Sequence, residues 1–333
     1  MITAKIVADS ISAYGDRITT FELEYPRFIH AEFMTHRLFS RNAASSRAIP
    51  VERQIELIRS ETAMPIHWGK NQPGMSAKEE CHTLMSQHDF PEPKHTEIKA
   101  VGMLSRQGAW NRGRDLAIEV ATQFMIAGYH KQIVNRLMEP YAHIKVVCTA
   151  TEYDNFFYLR RHPDAQPEIQ ELANQMWEAR QNSIPTQLRD GDWHVPYYQD
   201  GYWKRDFSRP IFVDPVVQPN RDVDGNTTEE AIAISASCCA QVSYRKLDDS
   251  LEKAKQLYQR LIESKPAHAS PFEHQATPMV FSNCTQIDPF VGLQQFKGVT
   301  HLDRTGNYWS GNLRGWIQNR QLIPGHVCTE YTP

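Results

Sequence analysis

The chain has 333 residues, of which 41% are apolar and 23% charged, and 36 Lys and Arg against 39 Asp and Glu leave a formal net charge of −3. This length allows one large domain or two modest ones around a substantial core, and the composition excludes disordered and fibrous classes. The slight acidity argues against a general nucleic-acid binder, and no stretch approaches the ~18 apolar residues that cross a bilayer. Residues 1–12 lack the apolar core and cleavage site of a signal peptide, so a cytoplasmic location is expected. Six cysteines (Cys81, Cys148, Cys238, Cys239, Cys284, Cys328) form no CxxC pair and no zinc-type spacing, which predicts scattered reduced thiols and no metal.

In chain order, residues 18–25 alternate, with Phe21, Leu23 and Tyr25 on one face and Glu22 and Glu24 on the other, as in a strand with one wet face. Pro26 ends it, and residues 28–39 read as a helix leading into a polar stretch. Residues 62–112 are loop-rich, with Pro65, Gly69, Pro73, Gly74, Pro91 and Pro93. A helix is expected over 114–127, carrying Leu116, Val120 and Phe124 at four-residue spacing, with Gly128 as its C-terminal cap. Residues 144–149 are a short strand. The next helix starts near Asp164 as N-cap, with Pro167 in its first turn, and Ile169, Leu172, Ala173, Met176 and Trp177 form its core stripe.

Residues 183–226 are aperiodic and aromatic-rich (Trp193, Tyr197, Tyr198, Tyr202, Trp203), a long irregular connection or inserted lobe. Thr227 with Glu230 makes a capping box for a helix through Cys239. Asp249 with Glu252 makes another for a helix bearing Leu251, Ala254, Tyr258 and Leu261. From Pro266 onward the chain reads as short motifs and loops. There is no internal repeat.

Three constellations carry chemistry. Residues 35–47 hold three arginines (Arg37, Arg41, Arg47), His36 and three serines (Ser40, Ser45, Ser46); hydroxyls, successive backbone N–H groups and an arginine fork suit a phosphate, and a solvated helix end is the plain alternative. Residues 159–169 place Arg160 and Arg161 just before the expected helix, where cations are mildly unfavourable unless an anion compensates. The third is His268-Ala269-Ser270-Pro271-Phe272-Glu273-His274, behind Gln241-Val242-Ser243-Tyr244; its spacing is not the helix-face HExxH of zinc hydrolases.

Together these motifs resemble the flavin-dependent thymidylate synthase family. The family's His-Arg pair followed by Ser, Asn, Ser and Arg is matched by His36, Arg37, Ser40, Asn42, Ser45 and Arg47. Its Leu-Arg with a following Ala-Gln-x-Glu-Ile is matched by Leu159, Arg160, Ala165, Gln166, Glu168 and Ile169, and its Arg-x-x-x-Pro by Arg136 and Pro140. The third constellation is similar to the family's His-x-Ser/Thr-Pro-Phe-Glu-His, which ordinarily precedes the His-Arg pair. Here it follows it, so the chain resembles a circularly permuted member, a rearrangement that surface termini allow. The similarity covers residues 17–47, 114–177 and 228–274.

The resemblance implies a single α/β (α+β type) domain over 1–333, with a central antiparallel-rich sheet and packed helices, and a homotetramer with shared active sites. It implies conversion of dUMP to dTMP with methylenetetrahydrofolate and NADPH as co-substrates and FAD as cofactor, without a nucleophilic cysteine. Ser45, Ser46 and Arg47 are then expected to hold the nucleotide phosphate, with Arg136 reaching in from a neighbouring subunit. Arg160, the catalytic residue, lies at the pyrimidine carbonyl edge and Glu32 borders the nucleotide. His36, Arg37, Asn155, Ser243, Ser270 and Glu273 contact FAD, with His268 near its ring.

Four departures stand out. Thr35, Ala43 and Ser46 replace the family's Arg, Glu and Gly, and Glu32 replaces a Gln. The Asn-x-Arg pair expected at Thr149 and Thr151 is also missing, and Asn312 and Arg314, with Gln318, form a similar run that is expected to supply those FAD contacts from elsewhere in space. Glu32 and Ala43 keep open a rival acceptor, dCMP, or a hydroxymethyl product; a non-catalytic nucleotide- or flavin-binding protein is the more distant alternative.

Overall fold

The computed structural model describes residues 1–74, 77–87, 90, 102–208, 219–243, 248–280 and 296–331; Cys284, Tyr244, Pro91 and Pro93 lie outside them. The architecture is mixed α/β. A five-stranded sheet runs in the order Ser40–Ala43, His143–Ala150, Arg17–Pro26, Thr3–Ser12, Thr186–Leu188, antiparallel throughout except for the last, parallel pair. The first strand, Thr3–Ser12, has no clean alternation and escapes a periodicity reading, since both its faces are covered along much of its length.

The alternation in Arg17–Pro26 is realised on one face. Phe21, Leu23 and Tyr25 are fully buried with Val146 and Cys148 of the neighbouring strand, against Ile169, Leu172, Ala173 and Met176 of the helix Pro167–Asn182. Each of the larger aliphatic and phenyl side chains among them contributes ~1.5–3 kcal/mol by leaving water. The other face is not wet at its Ile18 end. Ile18 packs with Leu188, Ala276, Leu313 and Trp316, and Thr20 is wholly buried. What covers it is a second sheet, ordered Trp316–Gln318, Ala276–Pro278, Trp193–His194, Tyr202–Trp203. The aromatic-rich 183–226 stretch thus supplies one strand to the central sheet and two to its cover.

Several helix boundaries differ from expectation. Residues 28–39 form a 3-10 turn, Arg27–Ile29, and one helical turn, His30–Phe33; beyond it the Thr35 hydroxyl donates to the Glu32 carbonyl (2.7 Å), a side-chain bond that competes with helix propagation. The helix expected over 114–127 is Arg106–Ile126, capped by Ser105, with Gly128 at φ +85° beyond its end. Its buried face runs through Ala109, Ile118 and Ala121, whereas Val120 is 47% exposed. Gln166, not Asp164, precedes the helix at Pro167, because the Asp164 N–H is turned onto His162 Nδ1 (3.2 Å). The Thr227–Glu230 capping box forms as expected on Thr228–Ala240; Ser250, one residue after Asp249, caps Leu251–Glu263. Five described cysteines are free thiols, and no described helix is long and apolar enough to cross a membrane.

The covering layer approaches the central sheet most closely at Gly201. Its φ is +90°, and a Cβ there would lie 2.7 Å from Ala8 Cα and 2.8 Å from the Val7 carbonyl oxygen. Gly201→Ala therefore meets both an unfavourable backbone region and a collision with strand backbone that cannot rotate away. The expected cost is ~3 kcal/mol or more, read as a lowered urea midpoint at unchanged m; an unaltered midpoint would show that this layer is not held tightly against the sheet.

Candidate active site

The strand Ser40–Ala43 is the spine on which the site is assembled. Immediately before it, Phe39 is buried against Phe33, Tyr153 and Phe156, and this anchor fixes the turn that carries His36. The His36 ring stacks on Phe39 (5.8 Å, 29°) and stands edge-on to Phe156 (4.8 Å, 87°). Arg160 is the last residue of the helix Asp154–Arg160. It ends one helix rather than preceding another, a position where a cation is favourable, which removes the strain expected from the sequence. Its guanidinium donates from Nε to His36 Nε2 (2.9 Å), from Nη1 to the Glu32 carboxylate and from Nη2 to Thr35 Oγ1 (3.4 Å). Because Nε2 accepts, the His36 proton resides on Nδ1. Burial, then the Arg160 and Arg41 charges, push the His36 pKa down to about 4, so the ring is neutral at pH 7.

At the other end of the strand the Ser45 N–H donates to Ser243 Oγ (2.9 Å) and the Ser46 hydroxyl to Glu139 (2.9 Å), whose carboxylate also pairs with Arg27 (3.1 Å). Asn135 holds the loop from beneath through the Ser46 and Ile49 carbonyls (2.7 and 2.9 Å). A half-open cavity of about 460 Å³ adjoins this loop, lined by Ala44, Arg53, Gln54, Lys145, Val242 and Ser243 among others.

The C-terminal segment clamps the same strand from outside. Asn312 Oδ1 accepts from Ser40 Oγ (3.0 Å) and Gln318 Nε2 (2.8 Å), while its amide donates to the Leu38 carbonyl (3.1 Å). Gln318 also bonds to Ser40 Oγ and the Glu273 carbonyl, both at 3.2 Å. Arg320 pairs with the Glu273 carboxylate. The Arg314 N–H donates to Thr151 Oγ1 (3.0 Å), one of the positions where the Asn-x-Arg pair was expected, and its side chain pairs with Glu152 (2.5 Å).

The structure thus brings Glu32, His36 and Arg160 into one cluster, Ser45, Ser46 and Ser243 into a second, and Glu273 and Asn312 around the strand between them, with Arg314 held at Thr151 and Glu152. Arg37, Arg47, Arg136, Asn155, His268 and Ser270 are exposed, and the side-chain partners they have among the described residues are on the backbone N–H groups of Arg47 and His268, which donate to Ser45 Oγ (3.3 Å) and Ser264 Oγ (3.2 Å). No three His, Cys, Asp or Glu side chains among the described residues converge as a metal site.

Sequence reading missed a buried relay on the covered face. Ser10 Oγ bonds His194 Nδ1 (2.9 Å), His194 Nε2 bonds Thr20 Oγ1 (2.8 Å), Thr20 bonds Thr149 Oγ1 (2.7 Å), and Thr149 bonds His274 Nδ1 (2.8 Å). All five side chains are fully buried, and His274 Nε2 has no partner among the described residues. The one sequence signal was Thr149 standing where the family has Asn.

A family model described as "Thymidylate synthase complementing protein" (Thy1) matches residues 17–186. No protein of curated function matches the chain. Among solved structures, a UMP/dUMP methylase PolB from Streptomyces cacaoi bound with 5-Br UMP shares 16% identity over 54% of this chain and 88% of that one, at a TM-score of 0.38. A flavin-dependent thymidylate synthase ThyX from Helicobacter pylori, complexed with FAD and dUMP, shares 19% over 49% and 67%, at 0.30.

Burial pushes the pKa of His194 and of His274 down to about 3. Between pH ~6.5 and that value the unfolded chain binds protons that the folded chain refuses, so stability falls as pH falls, with a slope approaching ~1.4 kcal/mol per pH unit for each ring. Urea titrations at pH 7, 6 and 5 are expected to show this decline, and His194→Gln to flatten it; a variant slope equal to that of the parent would place His194 in solvent.

Proposed function

The chain belongs to the thymidylate synthase complementing protein family, and on that basis we propose that it is a flavin-dependent enzyme adding a one-carbon unit to a pyrimidine deoxynucleoside monophosphate, with dUMP-to-dTMP conversion as the parent chemistry. The observation that carries this reading is Arg160, held by a neutral His36 and by Glu32 at the mouth of a strand whose far end is a serine-rich loop. A fixed guanidinium at one end and a hydroxyl- and N–H-rich turn at the other suit a base and its phosphate.

FAD fits the residues present. The exposed side chains of Arg37, Asn155, His268 and Ser270 are donors and acceptors free to exchange water for a dinucleotide with a polar ring edge. Ser243 and Glu273 would hold it from the loop and the Ser270–Glu273 turn, and Asn312 and Arg314 from the C-terminal segment. Bound FAD supplies hydride chemistry, with NADPH and methylenetetrahydrofolate as consumed co-substrates.

Within that arrangement the chain's own groups orient and polarise. Arg47, exposed at the loop tip, would bind the phosphate with Ser45. Ser46 would contribute its N–H, since its hydroxyl is committed to Glu139. Arg160 would stabilise negative charge growing on the base carbonyl when the ring accepts hydride, a contribution of ~3 kcal/mol for a preorganised donor. His36, neutral and donating only from Nδ1, holds that guanidinium in plane. A homotetramer in which Arg136 serves a neighbouring site is supported by the exposed apolar side chains around it, Ile126, Tyr129, Ile133 and Leu137.

The chain order is also read as permuted. The His268–His274 motif lies beyond the matched region, yet Ala276 packs with Ile18 and His274 bonds Thr149. That is where a chain running directly from the motif into the Arg17–Pro26 strand would place it.

Two substitutions test these roles. Arg47→Ala is expected to weaken nucleotide binding by ~1.5–3 kcal/mol while FAD affinity holds, followed by parallel titrations; equal losses would remove Arg47 from the phosphate site. Arg160→Lys keeps the charge and loses the planar fork, and should slow single-turnover flavin reoxidation about tenfold, a barrier change of ~1.4 kcal/mol. Arg161→Lys is the control, because Arg161 faces away, donating to Asn174 (3.0 Å) and lying over Trp177 (4.6 Å). If Arg161→Lys slows the reaction and Arg160→Lys does not, the catalytic assignment belongs to the wrong arginine.

A further inference from the structure

Arg160 and Glu32 form a partly exposed ion pair, with side chains 20% and 27% accessible. A guanidinium has five N–H donors and no acceptor; a carboxylate only accepts. Three of the Arg160 donors are taken by His36, Glu32 and Thr35, which leaves one N–H on each terminal nitrogen. Among the described residues the Glu32 carboxylate has no partner besides Arg160. The pair therefore presents an acceptor beside two donors, locked in that order because neither group can reverse its polarity at neutral pH.

Pyrimidine bases differ in what they offer to such a pair. Cytosine carries its N4 amino donor next to the N3 and O2 acceptors, so its edge meets carboxylate, N–H, N–H in sequence. A carboxylate accepting from a cytosine amino group is an established pairing in base recognition. Uracil has a single donor, N3–H, flanked on both sides by carbonyl oxygens; a carboxylate aimed at it faces two lone-pair-bearing neighbours. A glutamine in place of Glu32 would not meet this conflict, since its amide can donate to O4 while accepting from N3–H.

We propose that Glu32 is the specificity-determining residue of this site and that the nucleotide bound in preference is a cytosine deoxynucleoside monophosphate. The inference rests on the proposed nucleotide site at Arg160 and deepens it by naming the base.

The test is calorimetric titration of the FAD-loaded protein with dCMP and with dUMP, for the parent chain, Glu32→Gln and Glu32→Asp. The parent is expected to bind dCMP at least about fivefold more tightly than dUMP, the low end of what one well-formed paired contact discriminates. Glu32→Asp keeps the carboxylate and should keep the order of preference. Glu32→Gln should erase or reverse it, with FAD fluorescence quenching and melting temperature holding near parent values to show an intact fold. Should Glu32→Gln fail to fold, the parent and Glu32→Asp ratios still decide. Tighter or equal binding of dUMP by the parent, or an unchanged ratio in Glu32→Gln, overturns the assignment of Glu32 and leaves the nucleotide site standing. Binding of neither nucleotide overturns both.

Discussion

The contact between Thr20 and Thr149, at the centre of the five-stranded sheet, constrains everything laid over it. Two buried hydroxyls on neighbouring strands need partners, because an unsatisfied buried polar group costs ~1–3 kcal/mol, and in this chain the partners come from far away. His194 is 174 positions from Thr20, and His274 is 125 positions from Thr149. Covering this sheet face therefore requires the 183–226 segment and the segment at His274 together, each bringing an imidazole. Apolar contacts among Ile18, Leu188, Ala276, Leu313 and Trp316 supply driving force for that closure, but they are indifferent to register. The four-bond relay is directional, so it fixes how the cover sits and, through Glu273, where the Ser270–Glu273 turn meets the Ser40–Ala43 strand.

What the sequence made legible follows from period. The Phe21-Leu23-Tyr25 face, the Ile169-to-Met176 stripe, the Thr227 capping box and Gly128 all express a local rule of two, three or four residues, and all stand in the structure. The misread elements are those where a local rule met a tertiary one. Val120 fits a four-residue spacing, yet the helix Arg106–Ile126 turns Ile118 and Ala121 inward toward Val134 and Met138, because the face that packs is set by what lies opposite. Residues 28–39 have helical composition, but the Thr35 hydroxyl and the burial of Phe39 turn the chain after one helical turn. The relay was invisible because hydroxyl-to-imidazole pairs separated by more than a hundred residues leave no periodic trace.

Around the candidate site the motifs were short and carried their chemistry in residue type, so the segments that meet there could be picked out from the sequence. Even there, geometry changed the meaning of a residue. Arg160 at the start of a helix would be a strained cation in search of an anion; at the end of Asp154–Arg160 it is electrostatically settled and already neutralised by Glu32. Arg320, Arg314 and Arg27 are likewise matched by Glu273, Glu152 and Glu139. These internal pairs brace the framework, whereas Arg37, Arg47 and Arg136 keep their guanidinium groups exposed to solvent. A ligand anion meeting the latter group displaces only water, which is less costly than breaking a partly buried ion pair.

The order of segments along the chain is energetically minor beside these contacts. The His268–His274 motif lies some 250 residues after the Arg17–Pro26 strand, and closing that span exceeds closing a loop of ~20 residues by three to four doublings. Loop-closure entropy rises by about 0.6 kcal/mol per doubling, so the penalty is ~2 kcal/mol. Asn312 and Gln318 close a comparable distance, 272 and 278 positions from Ser40, with several hydrogen bonds onto one strand. At a net ~1 kcal/mol for each such bond, that clamp alone is of the size needed to offset the longer loop. Arg314 adds to the same clamp: its backbone N–H donates to Thr151 Oγ1 and so ties the C-terminal segment to the residue following the His143–Ala150 strand. Segments this distant in sequence hold their place when each carries its own hydrogen-bonding partner on the sheet or beside it, and Gln318, Arg314 and His274 each carry one.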